Sequence, residues 1–270
     1  MNPALEVFAT DIAMGESPRW HDGAFWMCDW LAGEVLRFDA GGGRDVVTRV
    51  EGLPFSIDWL PDGRLVVSTA DGVRVGEDLA PYGAVGRAWN EIVVDRAGRV
   101  YVDMPGSMPW EERKPGVVAV VQPDGTSTDL AGDVWFPNGM VVTDDGGTLV
   151  VGESHASRLT AWTITDDGTL TDRRVWADLG EGSAPDGICV DAEGAIWYAD
   201  VPNQHCRRVA EGGEVLETVQ VGQGCFACAL GGDDGRTLYV VANDYGPQGA
   251  SNGRVLTTRV EIPAAGVENS

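Results

Sequence analysis

An all-β chain closed from six copies of one unit is what this sequence predicts, and three observations carry the prediction. A turn built from Asp, Glu or Gly precedes a short β-branched or aromatic run six times, at intervals of 40, 35, 49, 47 and 41 residues between Gly23, Gly63, Gly98, Gly147, Gly194 and Gly235. The 37 glycines break the chain into strand-length apolar runs. No sustained helical hydrophobic period is present. A repeat of about 40 residues carrying three or four short strands is the signature of a propeller blade, so residues 1–270 are expected to form a single six-bladed β-propeller. The tail after about residue 262 is expected to be flexible.

The copies follow in order. Trp20-His21-Asp22-Gly23 precedes Phe25 to Cys28, and Leu60-Pro61-Asp62-Gly63 precedes Leu65 to Ser68. Asp95-Arg96-Ala97-Gly98 leads into Val100 to Val102, and Asp144-Asp145-Gly146-Gly147 into Leu149 to Val151. Asp191-Ala192-Glu193-Gly194 and Gly232-Asp233-Asp234-Gly235 open the last two, before Ile196 to Tyr198 and Leu238 to Val240. Such turns between β-branched or aromatic runs are hairpin signals. Each is followed by further strand-like sequence: Val35 to Phe38, Val73 to Val75, Val117 to Val121, Leu159 to Ile164, Cys206 to Val209 and Val255 to Thr258. An open ring would leave two bare edges, so Glu6-Val7-Phe8 is expected to pair with the C-terminal strands and close it.

Charge and cysteine content exclude several classes. With 42 acidic against 19 basic residues the surface repels nucleic acid and anionic membrane, and no partner of either kind is expected. Solubility accounts for such acidity. Residues 1–11 lack a basic region followed by an apolar core, and no apolar run approaches the roughly 18 residues of a membrane span, so a soluble cytoplasmic protein is expected. The five cysteines are an odd number in a long chain and do not suggest a disulfide framework. Cys225-Phe226-Ala227-Cys228 is a CxxC pair in an apolar run with no second pair for zinc, and it reads as buried structural thiols.

In a propeller the innermost strand of every blade begins beside the central channel, so equivalent positions converge. Counting back from the turn glycines, with Gly146 of the Gly146-Gly147 pair used in the fourth blade, gives Glu16 and Ser56 seven residues before Gly23 and Gly63, and Asn90, Asn138 and Asp186 eight before Gly98, Gly146 and Gly194. The sixth blade offers Ala227. Pro-Asn-Gly and Pro-Asp-Gly are common turn sequences, and any one alone would read as structural. Glu16, Asn90, Asn138 and Asp186 in register read differently: two carboxylates and one or two amide carbonyls, with no thiolate or imidazole, suit a hard cation such as calcium, magnesium or manganese. A buried carboxylate costs several kcal/mol unless paired, and no lysine or arginine occupies a matching position. Other chemistries lack their parts. His21, His155 and His205 are the only histidines, no G-x-S-x-G elbow is present, and no glycine-rich cradle leads from a strand into a helix. Trp89 and Trp135, just before the site asparagines, are candidate pocket walls.

Gly15-Glu16-Ser17-Pro18-Arg19-Trp20, Trp89-Asn90-Glu91, Phe136-Pro137-Asn138-Gly139 and Ala184-Pro185-Asp186-Gly187, with Asp191 to Gly194, together resemble the family of senescence marker protein (regucalcin), bacterial gluconolactonases and luciferin-regenerating enzymes. The likeness runs from about Leu5 to about Thr257. It implies a six-bladed propeller with one divalent metal in the channel, calcium first among calcium, zinc, manganese and magnesium, and a small-molecule lactone as substrate. Glu16, Asn138 and Asp186 match the family's metal ligands, with Asp186 also the candidate general base. Asn90 matches an asparagine that contacts substrate or completes the metal sphere. The loop from Met104 to Pro115 lies where the family carries a lid, which makes Met104, Trp110 and Glu111 candidate substrate contacts. Ala88 stands where several members place an arginine, so the contacts of that arginine to a sugar acid are missing here.

The activity implied is metal-dependent hydrolysis of a lactone, a sugar lactone opened to its hydroxy acid. Hydrolysis of a phosphotriester on the same site, or a non-enzymatic calcium-binding propeller, are the alternatives.

Overall fold

The computed structural model describes residues 4–39, 41–84, 86–143, 145–246 and 249–266. Among these residues there are twenty-four strands in six four-stranded antiparallel sheets, and no helix is long and apolar enough to cross a membrane. The chain is a six-bladed β-propeller. After β1 (Glu6–Ile12), the first blade is β2 (Gly15–His21), β3 (Ala24–Asp29), β4 (Glu34–Phe38) and β5 (Arg44–Arg49), from the channel outward. The second is β6 (Ser56–Trp59), β7 (Leu65–Thr69), β8 (Gly72–Val75) and β9 (Ala80–Gly83), and the third β10 (Ile92–Val94), β11 (Val100–Met104), β12 (Gly116–Val121) and β13 (Ser127–Val134). The fourth is β14 (Pro137–Val142), β15 (Thr148–Glu153), β16 (Arg158–Ile164) and β17 (Leu170–Asp178). The fifth is β18 (Pro185–Val190), β19 (Ile196–Asp200), β20 (His205–Val209) and β21 (Val215–Gln220).

The sixth blade joins both ends of the chain. Its strands are β22 (Gly224–Gly231), β23 (Thr237–Gly246), β24 (Gly249–Arg259) and, outermost, β1, which pairs Glu6 with Thr257 and Val7 with Leu256. This is the closure expected for Glu6 to Phe8, and side chains reinforce it. Phe8 stands edge-on to Phe25 and Tyr239 at 5.6 and 5.3 Å, while Phe25 and Tyr239 stack at 4.5 Å. Residues 263–265, expected to be frayed, are bonded instead: Ala192 N donates to Pro263 O at 2.9 Å and Ala264 N to Gly235 O at 2.9 Å. Residues 267–270 lie outside the described residues.

The core is divided among the gaps between blades. One apolar cluster joins Trp197 and Cys206 of the fifth blade to Leu238 and Val240 of the sixth, and another joins Phe25 and Leu36 of the first to Val241 and Val255 of the sixth. Four more fill the remaining gaps. A middle strand is therefore covered on both faces, which is why Leu65–Thr69 is buried at every position and its sequence does not alternate. Outer strands face water on one side, so β5 and β13 carry mostly exposed residues.

The inner strands begin earlier than their apolar runs suggest. Pro137-Asn138-Gly139 and Pro185-Asp186-Gly187 lie within β14 and β18, each of which has a register shift there. Neither glycine has a left-handed backbone; both provide room. A Cβ on Gly139 would lie 2.5 Å from Asp186 O and Ile188 N, and one on Gly187 would lie 2.4 Å from Ala227 Cβ. Adjacent inner strands thus approach closely where the ring is narrowest. Gly187→Ala is expected to cost about 1–3 kcal/mol by overpacking, a fall in Tm of about 2–6 °C for a chain of this size. Adding Ala227→Gly should recover part of it. An unchanged Tm in thermal unfolding would show that the ring can widen without cost.

Candidate active site

Four residues counted to one address come together at the channel end where the inner strands start. Glu16 and Asn90 are each 5% exposed, and Asn138 and Asp186 are half-buried. Asn90 Nδ2 reaches Asn138 Oδ1 at 3.5 Å, and Asn138 Nδ2 reaches Ser154 Oγ at 3.5 Å. Ser154 in turn donates to Pro185 O at 2.6 Å, tying the fourth blade to the residue before Asp186.

Local backbone features aim these side chains. β2 shifts register between Glu16 and Arg19, and Ser17 there adopts a left-handed backbone (φ 49°). The Ser17 hydroxyl is held 2.6 Å from Ser56 Oγ and accepts from Ile57 N at 3.0 Å, which locks the first blade against the second. Carboxylates at the ends of the neighbouring strands fasten the incoming loops. Asp29 accepts from Ala13 N and Met14 N at 2.8 and 2.9 Å, just before Glu16. Glu153, fully buried and paired with Arg158 at 2.9 Å, accepts from Trp135 N at 2.7 Å, just before Asn138.

The electrostatics of this cluster are unfavourable without a counter-charge. Burial, then the charges of Asp186 and Glu91, push the Glu16 carboxyl well above its usual range. Asp186 is raised in the same way by burial and by Glu91, with Asn138 as a compensating hydrogen-bond partner. Arg19 lies deeper in the channel. It reaches Glu91 at 3.5 Å and donates to Ile92 O at 2.9 Å and Pro18 O at 3.0 Å. It therefore tempers Glu91, while burial still raises that carboxyl.

Two acidic residues escaped the register count. Glu91 follows Asn90, and its burial is visible only once the third blade has formed. Asp103 sits in β11, with its N–H donating to Glu91 O at 3.1 Å and its carbonyl accepting from Asn90 N at 2.8 Å. Its side chain is fully buried and neither carboxyl oxygen has a hydrogen-bond partner, although the nearby Asn90 amide partly offsets the strong upward push of burial and Glu91. Arg19 was also missed as a counter-charge, because it lies three positions beyond the address of Glu16.

The outer wall is less concentrated. Met104 ends β11 and packs against the core between the second and third blades. Trp110 is 71% exposed, and Glu111 lies on the loop surface, where its carboxylate accepts from Met108 N at 3.0 Å. Trp89, expected as a pocket wall, is a core residue at 1% exposure, donating to Ala84 O and lying under the Arg87 guanidinium at 4.5 Å. Trp135 is partly exposed, and Phe136 packs against His155 at 4.5 Å between ring centroids. Arg87, next to Ala88, is paired with Asp129 at 2.6 Å.

The donor set fits a hard cation. Asp186 helps to raise the Glu16 carboxyl, and Glu16, Asn90, Asn138 and Asp186 all offer oxygen, with Ala227 of the sixth blade offering none. Among the described residues no three His, Cys, Asp or Glu side chains form a metal-ligating group, and the side-chain oxygen of Asn138 lies 3.5 Å from Asn90 Nδ2.

A family model described as the SMP-30/Gluconolactonase/LRE-like region matches residues 14–244. A 6-deoxy-6-sulfogluconolactonase from Pseudomonas putida is 27% identical, over 97% of both chains. Regucalcin from Gallus gallus is 26% identical, covering 86% of this chain and 84% of its own. A luciferin-regenerating enzyme superposes with a TM-score of 0.83 at 18% identity, over 98% of each chain, and so shares the fold.

Proposed function

This chain belongs to the SMP-30/gluconolactonase/LRE-like family, and from that premise we propose that it is a lactonase that opens a sugar lactone to the corresponding hydroxy acid with the help of one divalent cation. The observation that carries the reading is the pair Glu16 and Asp186, both pushed up by burial and by neighbouring negative charge, with Asp186 itself raising Glu16, a crowding that a cation would relieve.

Glu16, Asn138 and Asp186 would hold the cation, calcium being the first choice for an all-oxygen set and zinc, manganese and magnesium the others. The chemistry such an ion supplies when bound is Lewis-acid polarisation of a carbonyl oxygen. Asn90 orients the lactone through its side-chain amide. The Asp186 carboxylate accepts a proton from the water that attacks the carbonyl carbon. That proton passes to the ring oxygen as its bond to the carbonyl carbon breaks, so one lactone and one water give one hydroxy acid. Glu91 and Arg19 hold the floor beneath the site. Met104, Trp110 and Glu111 would contact the substrate if the loop folds over the mouth. The net charge of −23 and five unpaired thiols support a cytoplasmic protein acting on small molecules without nucleic acid or membrane.

A panel of gluconolactone, pentonolactones, a 6-sulfonated gluconolactone, a linear ester and an organophosphate triester tests this reading. Hydrolysis of at least one sugar lactone well above the linear ester and the triester is expected. Preference for the triester, or inertness toward every lactone with calcium bound, would overturn it.

A further inference from the structure

Four of the five cysteines, distant in sequence, meet where the fifth blade packs on the sixth. Cys189 is on β18, Cys206 on β20, and Cys225 and Cys228 on β22. Cys189 Sγ lies 3.9 Å from Cys228 Sγ, and Cys206 is beside the thiols of Cys225 and Cys228. Cys28 stands apart, between the first and second blades. The CxxC pair is therefore less isolated than its sequence suggests, but the thiols in contact belong to different strands.

Access separates the members of the group. Cys206 and Cys225 are fully buried. Cys189 is half-buried, and both it and Cys228 line a cavity of about 400 Å³ formed by the far halves of the inner strands, away from Asp186. Arg19, Asp58, Val94 and Val142 line it as well. The backbones carrying the two thiols are already close, since a Cβ on Gly187 would lie 2.4 Å from Ala227 Cβ. A reversible disulfide needs two thiols in contact on backbones within reach of one another, and a route for the oxidant. Only the pair Cys189 and Cys228 is seen to combine these.

We propose that Cys189 and Cys228 form a reversible disulfide in the presence of hydrogen peroxide, tying the inner strand of the fifth blade to that of the sixth and restraining the strand that carries Asp186. Cys189, the more exposed of the two thiols, loses its proton and attacks one peroxide oxygen, breaking the O–O bond; it becomes a sulfenic acid, and the departing hydroxide takes up the thiol's proton and leaves as water. The Cys228 thiol then loses its proton and attacks the Cys189 sulfur, the S–S bond forms, and the displaced hydroxide takes up that proton and leaves as a second water. Two thiols are oxidised by two electrons and one peroxide is reduced. A small dithiol reverses the step by thiol–disulfide exchange.

The test treats the purified protein with graded peroxide and reads intact mass, linked peptides and lactone hydrolysis, before and after dithiothreitol. Loss of two hydrogens, a linkage between Cys189 and Cys228 and a several-fold, reversible fall in activity are expected. Cys228→Ser should keep its activity under the same treatment and leave Cys189 as a sulfenic acid that dimedone traps, and Cys189→Ser should give neither product. Free thiols at every peroxide level, a linkage through Cys206 or Cys225, or a linked protein of unchanged activity would each overturn the proposal. The mass and peptide readouts do not pass through the lactone assay, so failure of the proposed function is told apart from failure of this one.

Discussion

Replacing Asp186 by asparagine is expected to lower kcat/KM on the best lactone by about 10³-fold, the scale of losing a positioned base, while leaving the fold intact. The substitution keeps the shape of the side chain, and Gly187 beside it still fits against Ala227. It also removes a negative charge that raises the Glu16 carboxyl, so the metal-free variant should melt no lower than the parent. Reduced activity with an unchanged or higher Tm therefore separates chemistry from folding. Wild-type turnover by Asp186→Asn would remove this residue from the reaction.

The second large effect comes from chelation. A divalent cation between Glu16 and Asp186 would offset the cost of holding their charges in the ring, so cation binding is expected to stabilise the folded chain and leave the unfolded chain unaffected. At a free concentration one hundred times Kd this amounts to about 2.7 kcal/mol, or roughly 5 °C in Tm for a protein of this length. Exhaustive chelation should abolish hydrolysis and lower Tm by that order, and calcium should restore both. Glu16→Gln should lose most of the calcium-induced shift. A shift of full size in that variant would place the cation elsewhere, and activity that survives chelation would exclude a metal-assisted reaction.

The repeat was readable because each blade must solve the same local problem. A hairpin turn followed by a strand buried on both faces leaves a sequence mark that tertiary context does not erase, as at Asp95 to Val102 and Asp191 to Tyr198. Positions Glu16, Asn90, Asn138 and Asp186 could be counted for the same reason: they sit at nearly constant offset from those turns. Glu91 and Asp103 could not, since their burial depends on how the third blade seats in the ring, and the equivalent positions elsewhere carry residues as different as Ser68 and Ala199. Trp89 was misplaced because a tryptophan beside a site residue looks the same in sequence whether it lines a pocket or fills the gap between blades.

By itself the amino-acid order determined the architecture and the four inner-strand positions, because both are short-range properties: turn chemistry, strand length and offset from a glycine. Only the closed ring decided which charges face one another, that Arg19 lies under Glu91, that Gly139 and Gly187 are there for space and not for a turn, and that Cys189 meets Cys228. These are contacts between blades, and no local periodicity records them, since they depend on where separate strands end up once the first strand has been laid against the last.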